Sequence, residues 1–242
     1  MNGITLSFAP YDEIISFINT TLKSSREKIS LAYVNAHTFV TAEKDSIFKR
    51  AIKSFTVLYA DGIGMRIAIK LLFGKNAFEV KPQNASDLNN ALMQFIDSNK
   101  LRVFFLGSTI ESLNKLKLKV IGQYPTMKIS GVHDGYFDIH DLSIVEQINQ
   151  SRSDILMIGL GHPKQELWLE KYRDRIEVPV CVVVGAFIDF ASGEKIRAPL
   201  FIRNFGFEWF FRLIQEPRRL WKRYIISIPL FCYIVLKQKL TS

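Results

Sequence analysis

Asp61 is the first residue of this chain whose setting invites chemistry. It stands in Leu58-Tyr59-Ala60-Asp61-Gly62-Ile63-Gly64, between an apolar run and a stretch of helical character. A carboxylate there either caps the helix that follows or acts as a general base on a hydroxyl, and the spacing leaves both readings open. Further on, Gly159-Leu160-Gly161-His162-Pro163-Lys164-Gln165-Glu166 is richer. Two glycines let backbone approach a ligand closely, and Pro163 suits the first turn of a helix. Lys164, Gln165 and Glu166 then put three polar side chains at one helix mouth, so a binding role is expected. The third glycine of G-x-G-x-x-G is missing, which argues against a dinucleotide fingerprint. In Gly107-Ser108-Thr109-Ile110-Glu111, Ser108 and Glu111 have capping-box spacing; the alternative is a phosphate held at a helix N-terminus. Asp189 follows a buried-looking run and either pairs with Arg197 or accepts hydrogen bonds from a sugar or base.

Some chemistry is absent from the pattern. There is no D-x-D pair, no P-loop and no G-x-S-x-G elbow. His37, His133, His140 and His162 are scattered without metal-ligand spacing. Neither a metal nor a cofactor is expected.

These residues need elements to hold them. Apolar runs at 30–34, 55–59, 102–106, 127–131, 154–158 and 179–184 alternate with amphipathic stretches at 39–52, 63–73, 86–98, 109–122, 141–149 and 164–173. A further strand near 4–8 and a helix near 11–23 begin the chain. Runs apolar throughout suit strands covered on both faces, so the expected fold is α/β, Rossmann-like, with a mostly parallel sheet and helices on both sides. Ligands of such sheets bind beyond the carboxyl ends of the strands. That rule gathers Asn35, Asp61, Gly107, Tyr136, Gly159 and Asp189 on one rim.

Charge is concentrated at the other end of the chain. From Lys195 onward ten Lys or Arg face two acids, Glu208 and Glu216, which accounts for +8 of the formal net +9. A basic end of this kind implies a polyanionic partner. Within it, thirteen mostly apolar residues, 224–236, follow Arg218, Arg219, Lys222 and Arg223. As a helix they would reach about 20 Å, short of a hydrocarbon core about 30 Å thick. Lying in the membrane interface is one expectation; a buried terminal helix kinked at Pro229 is the other. The two cysteines, Cys181 and Cys232, suggest a reducing compartment, and no signal-peptide pattern opens the sequence.

Taken together, Ala60–Gly64 (ADGIG), His133–Phe137 (HDGYF), Gly159–Glu166 (GLGHPKQE), Gly185–Pro199 (GAFIDFASGEKIRAP) and Gly206–Tyr224 (GFEWFFRLIQEPRRLWKRY) resemble the WecG/TagA/CpsF family of bacterial glycosyltransferases. The match runs in order across most of the chain. The resemblance implies an inverting, metal-independent enzyme that moves a sugar from a UDP-sugar to a polyprenyl-diphosphate-linked acceptor sugar at the cytoplasmic membrane face. It makes Asp61 the base. It matches Asn35, Gln165 and Asp189 to residues of the family's site, and brings Arg212, Arg219 and Arg223 in from a C-terminal appendage. With the residues read from the strand ends and motifs, Gly62, Gly107, Ser108, Tyr136, Gly159, Gly161, Pro163, Lys164 and Arg197, these form the expected substrate site. Two stretches depart from the family pattern: Tyr33-Val34-Asn35 stands where Thr-x-Asn is frequent, and KPQNASDL, 81–88, lacks the usual arginine and glycine.

The expected organisation is therefore a catalytic core at 1–195 and a basic appendage at 196–242 acting as lid and membrane-surface anchor, with a homo-oligomer left open. Two rivals share the sequence: an NAD-type oxidoreductase, and a non-catalytic binder of membrane or nucleic acid. The tail mixes charge with aliphatic runs instead of an aromatic platform, so nucleic acid is not expected as a partner.

Overall fold

The computed structural model describes residues 1, 3–24, 27–74 and 84–241. Its centre is a six-stranded sheet formed by β1 (Ile29–Val34), β2 (Val57–Ala60), β3 (Arg102–Gly107), β4 (Lys128–His133), β5 (Ile155–Gly159) and β6 (Val180–Val183). The strand order is β2-β1-β6-β5-β3-β4, and every pairing is parallel. The inner strands are buried on both faces, as their mostly apolar sequences, ISLAYV, ILMIG and VCVV, require. The expected strand near 4–8 is a correction: only Ser7 forms a bridge, to Tyr59. Pro10 lacks an N–H to continue a ladder, and its carbonyl instead begins the helix that follows, accepting from Ile14.

Helices cover both faces. One layer contains α2 (Ala36–Lys44), α3 (Ser46–Lys53), α4 (Ile63–Phe73), α7 (Ser143–Gln150) and α8 (Lys164–Tyr172); the other contains α1 (Tyr11–Ser24), α5 (Ala85–Ser98), α6 (Ile110–Gln123) and α9 (Phe187–Ser192). The single helix expected over 39–52 is two. Asp45 divides it, because its carboxylate accepts from the Ile47 and Phe48 amides and so starts a new helix where the previous one ends. Chain direction fixes where a ligand can enter. The connection after β3 runs through α6 on one face, and that after β5 runs through α8 on the other. The connections from these neighbouring strands therefore part to opposite faces at the carboxyl ends and leave a crevice between them.

The basic end is helical: α10 (Leu200–Asn204), α11 (Glu208–Gln215), α12 (Pro217–Trp221), a π-helical turn at Lys222–Ile226, and α13 (Ser227–Thr241). From Pro217 to Thr241 they run as one helix of 25 residues, long and apolar enough to cross a membrane. The length argument from thirteen apolar residues is thus corrected, since the flanking residues are helical too and carry the rod to about 37 Å. The helix nevertheless lies along the body, against α2 and α4. Phe231 and Val235 are buried in the same apolar cluster as Phe39 and Met65, and the Phe231 ring meets Phe39 edge-on at 5.7 Å. Tyr233, Leu236 and Leu240 point outward and are exposed. Pro229 makes no break. It cannot donate to the carbonyl four residues back, and the irregularity is taken up by the π turn that ends at Ile226. Phe231→Ala should lower stability by about 3 kcal/mol, read as a drop in thermal unfolding temperature; a change under about 1 kcal/mol would mean that α13 is not seated on α2.

Candidate active site

At the mouth of the crevice Gly107 has φ +130°, and a side chain there would run into the Gly159 carbonyl. The strand ends of β3 and β5 therefore touch through bare backbone. Ser108 follows at φ +62°, and its hydroxyl donates to Asp189 Oδ1 at 2.5 Å. The capping box expected from Ser108 and Glu111 is displaced by one residue: Thr109 caps α6, accepting from the Ser112 amide at 3.2 Å. The left-handed backbone at Ser108 turns its side chain away from the helix and across to α9.

Asp189 does not pair with Arg197. Its second oxygen receives Lys195 at 2.7 Å, and Lys195 also reaches Glu216 at 3.2 Å. Arg219 closes that chain by pairing with Glu216. Arg197 binds Asp87 at 2.8 Å and Asn84 Oδ1 at 3.3 Å instead. Of the two acids of the basic segment, Glu216 sits where cations converge, and Glu208 accepts from Asn84 Nδ2 at 3.1 Å. Their rarity in that stretch is the signal that could have marked them.

Next to the crevice, the Gly135 amide donates to the Ser108 carbonyl at 2.9 Å, and Lys164 Nζ donates to the Gly135 carbonyl at 2.8 Å. Lys164 also stands 4.9 Å from the centre of the Phe137 ring. Tyr136, whose backbone amide donates to Asp134 Oδ1 at 2.8 Å, is 81% exposed at the tip of this loop. Gly161 takes φ +80° in the β5 turn, and Pro163 occupies the cap position just ahead of α8.

Of the three side chains expected at the mouth of α8, Lys164 reaches the rim loop and the other two lie deeper. Gln165 and Glu166 are wholly buried, on the same face as Trp168, Leu169 and Tyr172. Helical periodicity turns those positions onto the sheet. Gln165 Nε2 donates to Glu166 Oε1 at 2.9 Å, and His162 Nδ1 lies 3.3 Å from the same oxygen. His162 in turn meets the His37 ring at 5.1 Å, so two of the four scattered histidines come together through the fold alone. Burial, the Arg223 guanidinium and His162 lower His37 to a pKa of about 4, and its Nδ1 bonds Ser227 of α13 at 2.9 Å. Among the described residues no group of three or more His, Cys, Asp or Glu side chains is placed to hold a metal ion.

Asn35 caps α2, with Oδ1 accepting from the His37 and Thr38 amides, each at 3.0 Å. One strand over, Asp61 receives its fix from elsewhere. Gly62, at φ +85°, stands at the α4 cap position without any side-chain bond, so the reading of Asp61 as the α4 cap is set aside. The Asp61 carboxylate accepts from the Ala85 amide, the first residue of α5, at 2.9 Å. Burial pushes its pKa above the usual aspartate range. The Ala85 amide opposes the shift, Glu208 adds to it, and Arg212 and Arg223 oppose it. A proton acceptor strengthened by burial but kept among cations suits a hydroxyl substrate.

Burial and then Glu166 raise the pKa of Tyr33, the next-to-last residue of β1; Arg223 and Arg212 oppose that rise, and Asp61 adds to it. The Tyr33 hydroxyl occupies the space that a side chain at Gly185 would fill. Arg212 is steadied by the Phe190 ring, 5.1 Å from its guanidinium. Of the four arginines expected near the substrates, Arg212 and Arg223 bring their charges within reach of the carboxylate, and Arg197 and Arg219 are engaged in ion pairs. Lys81 and the two residues after it, in the departing stretch 81–88, lie outside the described residues.

A model of the glycosyl transferase WecG/TagA/CpsF family matches residues 1–242, the full length of the chain. The chain belongs to the WecG/TagA/CpsF family. Among its relatives is a protein of Bacillus spizizenii, 30% identical over 229 residues, covering 94% of this chain and 86% of the relative. Another, from Bacillus subtilis, is 28% identical over 236 residues, covering 93% and 90%. A third, from Staphylococcus aureus strain MW2, is 27% identical over 237 residues, covering 93% and 91%. All three are named N-acetylglucosaminyldiphosphoundecaprenol N-acetyl-beta-D-mannosaminyltransferase. As a WecG/TagA/CpsF member, this protein is a glycosyltransferase.

Proposed function

We propose that the protein transfers a hexosyl group from a UDP-sugar to the sugar of a polyprenyl-diphosphate-linked acceptor, with inversion and without a metal ion, in the synthesis of a bacterial surface polysaccharide or teichoic-acid-type glycan. It works at the inner face of the cell membrane, where residues 196–242 serve as lid and surface anchor. The names of the relatives support the lipid-linked acceptor. The observation that carries the reading is a buried carboxylate at a strand end, held by the Ala85 amide and within reach of the charges of two guanidiniums from the basic segment.

Inversion needs one direct displacement. The acceptor hydroxyl attacks the anomeric carbon on the side opposite the diphosphate, and its proton passes to Asp61. As the bond to UDP breaks, negative charge grows on the leaving phosphate, and Arg212 and Arg223 are the cations that meet it. The bare backbone of Gly107 and Gly159 lets the nucleotide approach the strand ends. Lys164 and Tyr136 border its outer side. The exposed apolar face of α13 and the lysines at its end suit an anionic membrane surface.

The test offers a panel of UDP-sugars, N-acetylmannosamine and unsubstituted hexoses included, together with a synthetic polyprenyl-diphosphate sugar, with and without EDTA. Release of UDP with an inverted product, unchanged by EDTA, is the expected result. A strict metal requirement would remove the role given to the arginines, and tight NADH binding without UDP binding would point to the oxidoreductase.

A further inference from the structure

We propose that Asp87 is a positioning residue for this reaction: gripped by Arg197 and Arg203, it fixes the start of α5 so that the Ala85 amide holds Asp61 in register with the segment carrying Arg212. The inference rests on the reading of Asp61 as the base.

The start of α5 is a junction. Asp61 comes to it from β2 through the Ala85 amide. Tyr11 comes from α1, its hydroxyl donating to the Asn84 carbonyl at 3.0 Å and accepting from the Asn84 amide. Glu208 comes from α11 and accepts from Asn84 Nδ2 at 3.1 Å. Asp87, one turn in, takes Arg197 at 2.8 Å and Arg203 at 3.3 Å on a single oxygen.

Asp87 is half exposed, and an isolated surface pair would contribute little. The guanidiniums are different. Their side chains are only 20% and 18% exposed, and their Nε atoms are buried without a partner. Without the Asp87 charge, two enclosed cations lose their shared counter-ion. The segment from Arg197 to α10 then has no ionic hold on α5. Arg212 follows a few residues later on α11, so the same grip sets both the carboxylate and one of the cations that face it. Neither Arg197 nor Arg203 needs to touch substrate for this.

A misplacement of Asp61 should register in the chemical step. The groups that face it are Glu208 and Arg212 from α11, Arg223 from the π turn, and Tyr11, Tyr33 and Tyr59 from α1, β1 and β2. Their charges are untouched by Asp87→Asn. A loosened Ala85 bond removes the largest influence opposing the upward shift, so the acid limb of the pH profile should move to higher pH.

The experiment compares Asp87→Asn, Asp87→Glu, Arg203→Gln, Asp61→Asn and the double variant Asp61→Asn/Asp87→Asn in the full-length protein, by UDP-sugar kinetics, pH profile and thermal unfolding. Asp87→Asn should lower kcat about 10- to 100-fold, with the KM for UDP-sugar changed less than about threefold. Its acid limb should shift up, and Asp87→Glu should restore most of both. Arg203→Gln, which leaves the Arg197 pair, should show a smaller loss in the same direction and serves if Asp87→Asn does not fold. In the Asp61→Asn background Asp87→Asn should cost much less, the remainder being the part that acts through Arg212. Wild-type turnover and an unmoved acid limb in Asp87→Asn and Arg203→Gln, or an undiminished loss in the double variant, would overturn the proposal. Wild-type turnover in Asp61→Asn would overturn the reading of the base, and this inference with it.

Discussion

Asp61→Asn should lower the turnover of sugar transfer by about 10²- to 10⁴-fold, the range for loss of a general base, while UDP-sugar affinity changes little. The asparagine keeps the shape and can still accept the Ala85 amide bond, so the start of α5 stays in place and only the proton acceptor is lost. The pH profile provides a second readout. A base works only when ionised, so activity is full above its pKa and falls as pH drops through it. Because burial raises the Asp61 pKa, that fall should come at a higher pH than an ordinary aspartate would give. In Asp61→Asn the acid limb should vanish from the residual activity. Near-normal turnover, or an acid limb that survives intact, would return Asp61 to a purely structural role at the α5 start.

Replacing Arg212 and Arg223 together by glutamine should lower kcat by about 10²- to 10³-fold, the scale for losing groups that meet developing negative charge. Single substitutions should each cost less, because the partner cation remains. The pair also affects the base: both guanidiniums oppose the rise in the Asp61 pKa, so without them the acid limb should move further up. Point substitutions are a cleaner test than removing the whole basic end. Phe231 and Val235 belong to the main apolar cluster, so deletion would uncover α2 and α4 and mix loss of stability with loss of chemistry. If the double variant turned over at the wild-type rate, the leaving diphosphate would need another source of positive charge.

How far the sequence could be read depended on the range of the forces involved. The strands were legible because uninterrupted Val, Ile and Leu runs have few other homes, and the rim followed from strand direction. Asp61 and the gathering of basic residues at the chain end were equally plain. What distance in the chain hid was pairing. Nothing local tells Asp189 to choose Lys195 over Arg197, or Ser108 to reach across to α9; those choices come from backbone geometry at a single left-handed residue and from which helix lies opposite. Gln165 and Glu166 are polar in type and stand at a helix mouth, and only the helical phase reveals that both are wholly buried. Arg212 and Arg223 were singled out by resemblance, and Glu208 not at all, although an acid in so basic a segment is a conspicuous choice. The C-terminal helix was misjudged in length because hydropathy marks where a helix is apolar and says nothing about where it ends.

Arg223 and Phe231 ride on one uninterrupted rod, and the seating of the phenyl ring between α2 and α4 therefore sets the compass bearing of the guanidinium. Each residue of the α-helical part advances about 100°, so adding or removing one between them would swing the cation by about that angle, away from Asp61. Along that stretch the chain tolerates new spelling more readily than a new count of letters.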